Sequence, residues 1–181
     1  MNRLGYGEEI RRWRVENYRE FDRLLNACGS RGSRMTVGSK GEGLTSFYES
    51  DHDFLFELSE YLCVEDGINL LTIADDIEVY RMNTCAYPGH CILFLERPAH
   101  RRLTIIHNAL CGNGRGDIIL SSGLFVDEWK ALDRRYPQYT CSEKIVHYER
   151  AGPSLPMSVG GVSYADRVLS LPCHCPSILQ R

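Results

Sequence analysis

The chain has 181 residues, of which 43% are hydrophobic and 25% charged, and its formal net charge is −3. This composition excludes global disorder and is typical of a globular protein with a real core. The net charge gives no nucleic-acid signature by itself. No apolar stretch approaches the ~20 residues that span a bilayer, and the start, MNRLGYGEEIRRW, is not a signal peptide. We therefore expect a cytoplasmic protein without a membrane partner.

The first element is predicted to be a helix over residues 8–27, within an N-terminal helical segment at 1–30. Apolar residues recur every three to five positions, which predicts one buried stripe. The stripe comprises Ile10, Trp13, Tyr18, Phe21, Leu25 and Cys28. The opposite face is rich in arginine, including Arg12, Arg19 and Arg23. This face is either solvated or a basic surface that meets a polyanion.

A short strand at 34–37 is predicted next, followed by a Gly-Ser turn at Gly38 and Ser39. DHDFLFEL at 51–58 reads as an amphipathic strand with His52 and the phenylalanines facing inward. Asp51 and Asp53 then share the other face, about 6–7 Å apart along the backbone. This pair is either a solvated strand face or part of a metal site.

The remaining elements alternate between strands and loops. A Pro-Gly turn predicts a hairpin from 77–84 and 90–96, and a helix is predicted at 122–136. Further strands are predicted at 104–107, 144–150 and 164–171, with loops at 111–117 and 151–161 and the start of a helix in 172–181. The order predicts an α+β protein with a mixed sheet.

The eight cysteines are expected to be reduced thiols because no secretory signal precedes them. Cys63, Cys85 and Cys91 are interpreted as apolar core residues. Cys173, His174 and Cys175 suggest zinc, but their spacing is tight for one tetrahedral site and no second pair is near in sequence. Zinc is therefore not expected.

Nucleotidyl transfer requires divalent metals bridged by carboxylates, and magnesium prefers oxygen ligands. It also requires a tight turn that offers N–H groups and a small hydroxyl to phosphates. The stretch GSKGEGLTSFYESDHDF at 38–54 carries candidates for both functions. A third carboxylate should come from a neighbouring strand.

The order of strand, GS, linker and acidic-x-acidic strand resembles the polymerase-beta-like nucleotidyltransferase superfamily. GSKGEGL followed by ESDHDF is similar to the male-abnormal-twenty-one (Mab-like) domain. The similar branch includes cyclic GMP-AMP synthase and the cyclic GMP-AMP synthase-like receptors. ERAGPS at 149–154 and ADRVLSLPCHCPSILQR at 165–181 resemble the later part of the invertebrate domain. The resemblance extends from about residue 8 to the end.

The resemblance implies that Asp51, Asp53 and Asp166 hold two Mg²⁺ or Mn²⁺ ions, and that Gly38 and Ser39 contact the phosphates of ATP or GTP. It also implies a cyclic dinucleotide or short oligonucleotide product. In active receptors, double-stranded RNA or DNA lies along a basic surface that includes the N-terminal spine helix. Here this surface corresponds to Arg12, Arg19 and Arg23.

The chain departs from the family pattern in two ways. His52 stands between the two acids, and family members continue beyond the equivalent of Arg181 into a helical second lobe. Residues 31–181 are thus predicted to be an incomplete nucleotidyltransferase core, weakly active or inactive alone. The alternative is a catalytically silent Mab-like domain that binds nucleic acid or protein.

Overall fold

The computed structural model describes residues 7–27, 32–87, 89–100, 102–135, 145–149 and 152–176, with only the main chain at 133–135. Within these ranges the protein is mixed α+β, with a long N-terminal helix and two mixed sheets. The chain divides into two compact units. Unit 1 comprises Met1–Glu57 and Pro137–Ser170, and unit 2 comprises Leu58–Tyr136 and Leu171–Arg181. None of the described helices is long and apolar enough to cross a membrane.

Most of the regular elements are short. The helices are α1 (Glu8–Ala27), α2 (Gly38–Gly41), α3 (Thr104–Asn108) and α4 (Ser122–Arg135), and Leu70–Thr72 forms a 3-10 turn. The strands are β1 (Ser33–Val37), β2 (His52–Glu57), β3 (Tyr61–Val64), β4 (Glu78–Asn83), β5 (Ile92–Arg97), β6 (Leu110–Gly112), β7 (Ile118–Leu120), β8 (Ile145–His147), β9 (Leu155–Val159), β10 (Ser163–Ser170) and β11 (Cys173–His174).

Unit 1 is built on a five-stranded sheet in the order β1-β2-β10-β9-β8. Strand β2 pairs antiparallel with β1 and parallel with β10. The aromatic face predicted for β2 forms a row of contacts. The rings of His52 and Phe54 stack 5.6 Å apart, and those of Phe54 and Phe56 meet at 6.4 Å. Side chains alternate along a strand, so Asp53 belongs to the other face of β2.

Helix α1 has the predicted bounds, but the predicted apolar stripe is wrong. Of the described stripe residues only Tyr18 is buried, whereas the side chain of Trp13 is 63% exposed. Three further members are exposed as well: Ile10, Phe21 and Leu25. Cys28 lies outside the described residues. The spacing identified a helix correctly but assigned its packed face to the wrong side chains.

Polar side chains attach α1 to β1 instead. The Asp22 carboxylate accepts hydrogen bonds from N and Oγ1 of Thr36 at 2.6 and 2.9 Å. The Asn26 side chain accepts from N of Arg34 at 2.8 Å and donates to its carbonyl at 2.9 Å. Tyr18, Asp22 and Asn26 follow one another every four residues, so they share one side of the helix. This side contacts β1.

Unit 2 is built on a six-stranded sheet in the order β11-β3-β4-β5-β7-β6. Strands β4 and β5 pair antiparallel, which confirms the predicted hairpin, although Pro88 of its turn lies outside the described residues. The glycine-rich segment connects β6 and β7, which also pair antiparallel. The core of the unit includes Tyr61, Tyr80 and Ile106, each at most 1% exposed.

A buried ion pair lies inside unit 2. The Glu78 side chain is fully buried and accepts hydrogen bonds from the hydroxyl of Tyr80 at 2.5 Å and from N of Ala99 at 3.1 Å. Its carboxylate also forms an ion pair with Nε of Arg102. A buried carboxylate is tolerated when its oxygens are paired in this way.

Two of the predicted elements are wrong. The predicted strand at 104–107 is helix α3, because Ile105 and Ile106 are buried at consecutive positions, whereas a one-sided strand would bury alternate ones. The predicted loop at 151–161 contains strand β9, in which Leu155 and Met157 are buried on either side of Pro156. The proline concealed this strand because proline is rare inside sheets.

Two more predicted elements differ in detail from the structure. The Gly-Ser turn is one turn of helix, α2, which follows β1 without a gap. At the C-terminus, Cys173 and His174 form β11 beside β3, and the rest of the predicted helix lies outside the described residues after Pro176. Strand β3 was not predicted. Of the three cysteines predicted to lie in the core, Cys63 is buried, but the prediction is wrong for Cys85 and Cys91, which are exposed.

Candidate metal centre

Strand pairing brings two distant aspartates together in unit 1. Asp53 of β2 and Asp166 of β10 are direct Cα partners in the parallel pair. Partner residues on neighbouring strands project to the same face, so both carboxylates lie on one side of the sheet. A register shift of one residue would place them on opposite faces. Asp51 lies one residue before β2. It is two residues from Asp53, so its side chain lies on the same side of the sheet as that of Asp53.

The three carboxylates converge. One oxygen from each of Asp51, Asp53 and Asp166 lies within 4.8 Å of the other two. Asp51 is exposed, and the other two are partly buried. Burial raises the pKa of Asp53, and the negative charges of Asp51 and Asp166 raise it further. The ionised carboxylate of Asp53 is thus unfavourable without a cation.

Gly38 allows the start of α2 to approach this centre closely. Val37 is the antiparallel Cα partner of Asp53, so the next residue lies beside the carboxylate. Gly38 has φ of +62°, and a Cβ there would overlap Oδ2 of Asp53 and come within 2.9 Å of its Cγ. Both the backbone conformation and the available space therefore require glycine.

A cluster of hydroxyl groups follows Gly38. Oγ of Ser39 lies 3.1 Å from Oγ1 of Thr45 and 3.2 Å from Oγ of Ser50, and the latter two are 3.0 Å apart. Lys40 is only 1% exposed, and its amino group donates to the carbonyl of Ser46 at 2.9 Å and to Oγ of Ser50 at 3.1 Å. These contacts fix the segment between α2 and β2.

Lys40 supplies positive charge to the centre. Burial lowers the pKa of its amino group, whereas the neighbouring carboxylates of Asp51, Glu49 and Asp53 oppose that effect. The ammonium in turn partly offsets the pKa increase at Asp53. A buried lysine requires such partners, since an isolated buried charge is costly. Lys40 thus adds positive charge near the acidic cluster, while its amino group donates to Ser46 and Ser50.

His52 is accommodated as a packed aromatic residue. Its side chain is 7% exposed, and its ring meets that of Phe47 edge-on at 4.5 Å. Burial lowers the pKa of His52, the charges of Lys40 and Arg34 lower it further, and a hydrogen bond with the main chain of Phe47 opposes the change. A neutral imidazole between the two acids is therefore compatible with the centre.

Arginines of α1 hold the loop that carries this cluster. Nε of Arg11 donates to the carbonyl of Glu42 at 2.8 Å, and a guanidinium nitrogen of Arg14 donates to the carbonyl of Leu44 at 3.2 Å. The contact is close, because a Cβ at Gly43 would collide with the carbonyl oxygen of Arg11. The helix and the loop therefore form one connected surface.

The three arginines predicted to contact nucleic acid differ in their surroundings. Arg12 and Arg19 line an open groove of about 390 Å³ beside α2. The groove is also lined by Glu8, Arg11, Val15, Gly41 and Glu42. Arg23 is engaged elsewhere, since two of its guanidinium nitrogens each lie 2.7 Å from a carboxylate oxygen of Glu20.

The sequence did not indicate the supporting residues Lys40, Thr45 and Ser50. Short polar side chains and lysines are usually solvated, and the burial of Lys40 and the partial burial of Thr45 and Ser50 follow from how residues 38–50 fold beside β2. The one available signal was the position of Lys40 directly after the Gly-Ser pair. The arginine side of α1 gave a basic signal but did not reveal which residues contact the loop.

The donor set fits a hard divalent cation. Three carboxylates supply oxygen ligands, which Mg²⁺ and Mn²⁺ prefer, and a cation there would relieve the mutual repulsion felt by Asp53. No protein-family model matches the chain, and no curated protein matches it. What the protein does must therefore be inferred from the motif and from the geometry of this centre.

Proposed function

We propose that this protein is a metal-dependent nucleotidyltransferase with a polymerase-beta-like core. It would belong to the cytoplasmic cyclic GMP-AMP synthase-like receptors, which join ATP and GTP into a cyclic dinucleotide in innate immune sensing of double-stranded nucleic acid. The single observation that carries the proposal is the convergence of Asp51, Asp53 and Asp166 from two paired strands. Acidic groups on a surface are common, but here Asp51 and Asp53 also follow the Gly38–Ser39 pair at the start of α2.

Each residue has a defined role under this proposal. Asp51, Asp53 and Asp166 hold the metal ions. When bound, such ions neutralise phosphate charge and lower the barrier to attack by a hydroxyl group. Gly38 and Ser39 would contact the nucleotide phosphates: Gly38 brings the main chain against the Asp53 carboxylate, and the hydroxyl of Ser39 would exchange a contact with Thr45 or Ser50 for one with a phosphate. Lys40 holds the loop in place through hydrogen bonds to Ser46 and Ser50.

The first experiment measures Mn²⁺ binding to the 181-residue chain by the loss of the free Mn²⁺ electron paramagnetic resonance signal. Tight binding is expected, and Asp53→Asn and Asp166→Asn should each weaken it at least tenfold. Asp76→Asn is the matched control, because Asp76 is exposed in unit 2 and should leave binding unchanged. Equal binding by all four proteins would refute the metal centre.

The second experiment measures catalysis. A protein that carries this region is incubated with ATP, GTP and Mn²⁺, with or without duplex RNA or DNA, and pyrophosphate and nucleotide products are quantified by mass spectrometry. Products are expected only with the metal and only with Asp53 intact. Metal binding without any product, with all duplexes tested, would instead favour a silent binding module that recognises nucleic acid.

A further inference from the structure

Two cysteine sulfurs meet at the β11 edge of unit 2. Sγ of Cys173 on β11 lies 2.6 Å from Sγ of Cys175, which is two residues further along the chain. The main chain on both sides of Cys173 is bonded to β3. N of Cys63 donates to the carbonyl of Pro172 at 2.8 Å, and N of Glu65 donates to the carbonyl of His174 at 3.4 Å. The sheet therefore fixes the backbone that carries the two thiols.

The distance between the two sulfurs is closer to a covalent bond than to a shared metal ion. A disulfide has an S–S length of about 2.05 Å, so the sulfurs need to approach by only about 0.6 Å. Two thiolates on one tetrahedral zinc lie about 3.8 Å apart, from Zn–S distances of about 2.3 Å, so a metal would require them to separate. The geometry thus favours bond formation within the pair.

The two thiols differ in their access to solvent. Cys173 is exposed, whereas Cys175 is only 4% exposed. A small oxidant can therefore reach Cys173 first, and Cys175 lies behind it within reach of the same sulfur. An accessible thiol beside a second, resolving thiol is the arrangement found in redox-responsive cysteine pairs.

We propose that Cys173 and Cys175 form a reversible redox site, in which the folded β11 segment holds the two thiols ready to form an intrachain disulfide. The oxidant is a low-molecular-weight disulfide such as glutathione disulfide. The Cys173 thiolate attacks one sulfur of that molecule and releases one glutathione. Cys175 then attacks the Cys173 sulfur of the mixed disulfide and releases the second. The protein loses two electrons and two protons, and both glutathiones leave as thiols.

A disulfide reagent suits this pair better than a peroxide. Sδ of Met82 lies 3.4 Å from Sγ of Cys173, and a peroxide would also convert this thioether to a sulfoxide. Burial, a hydrogen bond with Cys175 and the charges of Cys175, Cys63 and Cys91 raise the pKa of Cys173 to about 12. The thiolate is the attacking form, so the exchange is followed to equilibrium in mildly alkaline buffer.

The test uses the full 181-residue chain, purified in the reduced state and equilibrated with mixtures of reduced and oxidised glutathione. The reaction is stopped with acid, free thiols are alkylated, and the chain is digested with trypsin. Cleavage after Arg167 gives the peptide 168–181, which contains Cys173 and Cys175 and no other cysteine. Mass spectrometry should find this peptide unlabelled and lighter by two hydrogen atoms. Reduction should restore both alkylation sites.

A comparison of folded and unfolded chain separates the effect of the fold from that of the Cys-His-Cys sequence. The equilibrium constant for disulfide formation should be roughly tenfold larger for the folded chain than for the same chain in urea. This comparison requires no variant, so it remains decisive if a cysteine variant fails to fold.

Variants identify the role of each thiol. Cys175→Ser should leave glutathione attached to Cys173, because no second thiol resolves the mixed disulfide. Cys85→Ser is the matched control, since Cys85 is an exposed thiol of the same unit outside the pair, and the disulfide within 168–181 should form as before.

Three results would overturn the proposal. The first is a folded chain whose peptide 168–181 keeps both free thiols, or only attached glutathione, in a large excess of glutathione disulfide. The second is a cross-link between this peptide and 41–81, the tryptic peptide that contains Cys63. The third is an equilibrium constant that is the same in the folded and the unfolded chain.

Discussion

Asp53 is a carboxylate that is held in an unfavourable position. Burial and two like charges raise its pKa, and Lys40 offsets this only in part. Functional sites commonly retain such destabilising arrangements because the ligand relieves them. Removal of the negative charge of Asp53 should therefore stabilise the cation-free protein. It should also abolish the stabilisation that a bound cation gives.

We predict that Asp53→Asn raises the melting temperature in chelator-containing buffer by a few degrees, because it removes the repulsion with Asp51 and Asp166. The same variant should lose the increase in melting temperature that saturating Mn²⁺ gives the parent protein. Differential scanning fluorimetry measures both effects. Asp76→Asn should change neither, and a lower melting temperature for Asp53→Asn in chelator would contradict the assignment.

Gly38 offers a second prediction for a single residue. Gly38→Ala should destabilise the protein by about 1–2 kcal/mol through left-handed backbone strain and should displace the Asp53 carboxylate. Gly116→Ala is a matched control, because Gly116 has φ of +98° but a Cβ added there would meet nothing within 4 Å. Both variants should lose stability in urea titrations, but only Gly38→Ala should lose Mn²⁺ affinity.

At the scale of elements, the contact between α1 and β1 depends on polar side chains. Asp22 satisfies the main-chain N–H and the hydroxyl of Thr36 and also lies 3.1 Å from a guanidinium nitrogen of Arg34. A helix attached in this way is sensitive to the loss of one carboxylate. Its exposed apolar residues contribute less, because burial supplies the hydrophobic free energy.

We predict that Asp22→Ala lowers the free energy of unfolding by about 2–3 kcal/mol, because it leaves buried donors unpaired. Glu20→Ala on the same helix removes only an exposed contact with Arg23 and should change stability little. Urea unfolding followed by circular dichroism compares the two variants. Equal losses would show that the buried carboxylate has no special role in the attachment of α1.

Elements with regularly spaced apolar residues could be predicted from the sequence. Elements whose conformation depends on tertiary packing could not. The spacing of apolar residues gave the bounds of α1, and the Pro-Gly signal gave the hairpin of β4 and β5. The β-branched residues Thr104, Ile105 and Ile106 favour a strand locally, but Ile105 and Ile106 are buried at consecutive positions in a helix. Helix and strand preferences are weak compared with such packing.

The candidate centre was predictable only in part for a similar reason. Asp51 and Asp53 share a face through local alternation, which a sequence displays directly. Asp166 was assigned by resemblance alone, because its position depends on the register of a parallel pair formed across more than half of the chain. The buried position of Lys40 was missed because burial leaves no periodic signal.

At the scale of the whole molecule, the two compact units contain different polar centres. The aspartates lie in unit 1, whereas the buried Glu78–Arg102 pair lies in unit 2. Removal of one member of a buried pair leaves an unpaired buried charge, which is strongly destabilising. The loss of stability should be greatest in the strands that contact that charge.

We predict that Arg102→Met destabilises unit 2 by about 3 kcal/mol. Hydrogen exchange should accelerate in β4 and β5, while β2 and β10 should change much less. Arg81→Met removes a partly exposed ion pair with Glu96 in the same sheet and should cost less than about 1 kcal/mol. Equal acceleration of exchange in both sheets would mean that the units unfold as one.

Synthesis on the ribosome separates β2 from β10 for a long time. β2 is made early and can pair with β1, but its other edge stays open until Ser163–Ser170 has emerged. An open apolar strand edge recruits other chains, and pairing across such a sequence distance is slow. The register that places Asp166 beside Asp53 therefore also leaves HDFLFE with one unpaired edge in an unfinished chain, where chaperones would protect it from aggregation.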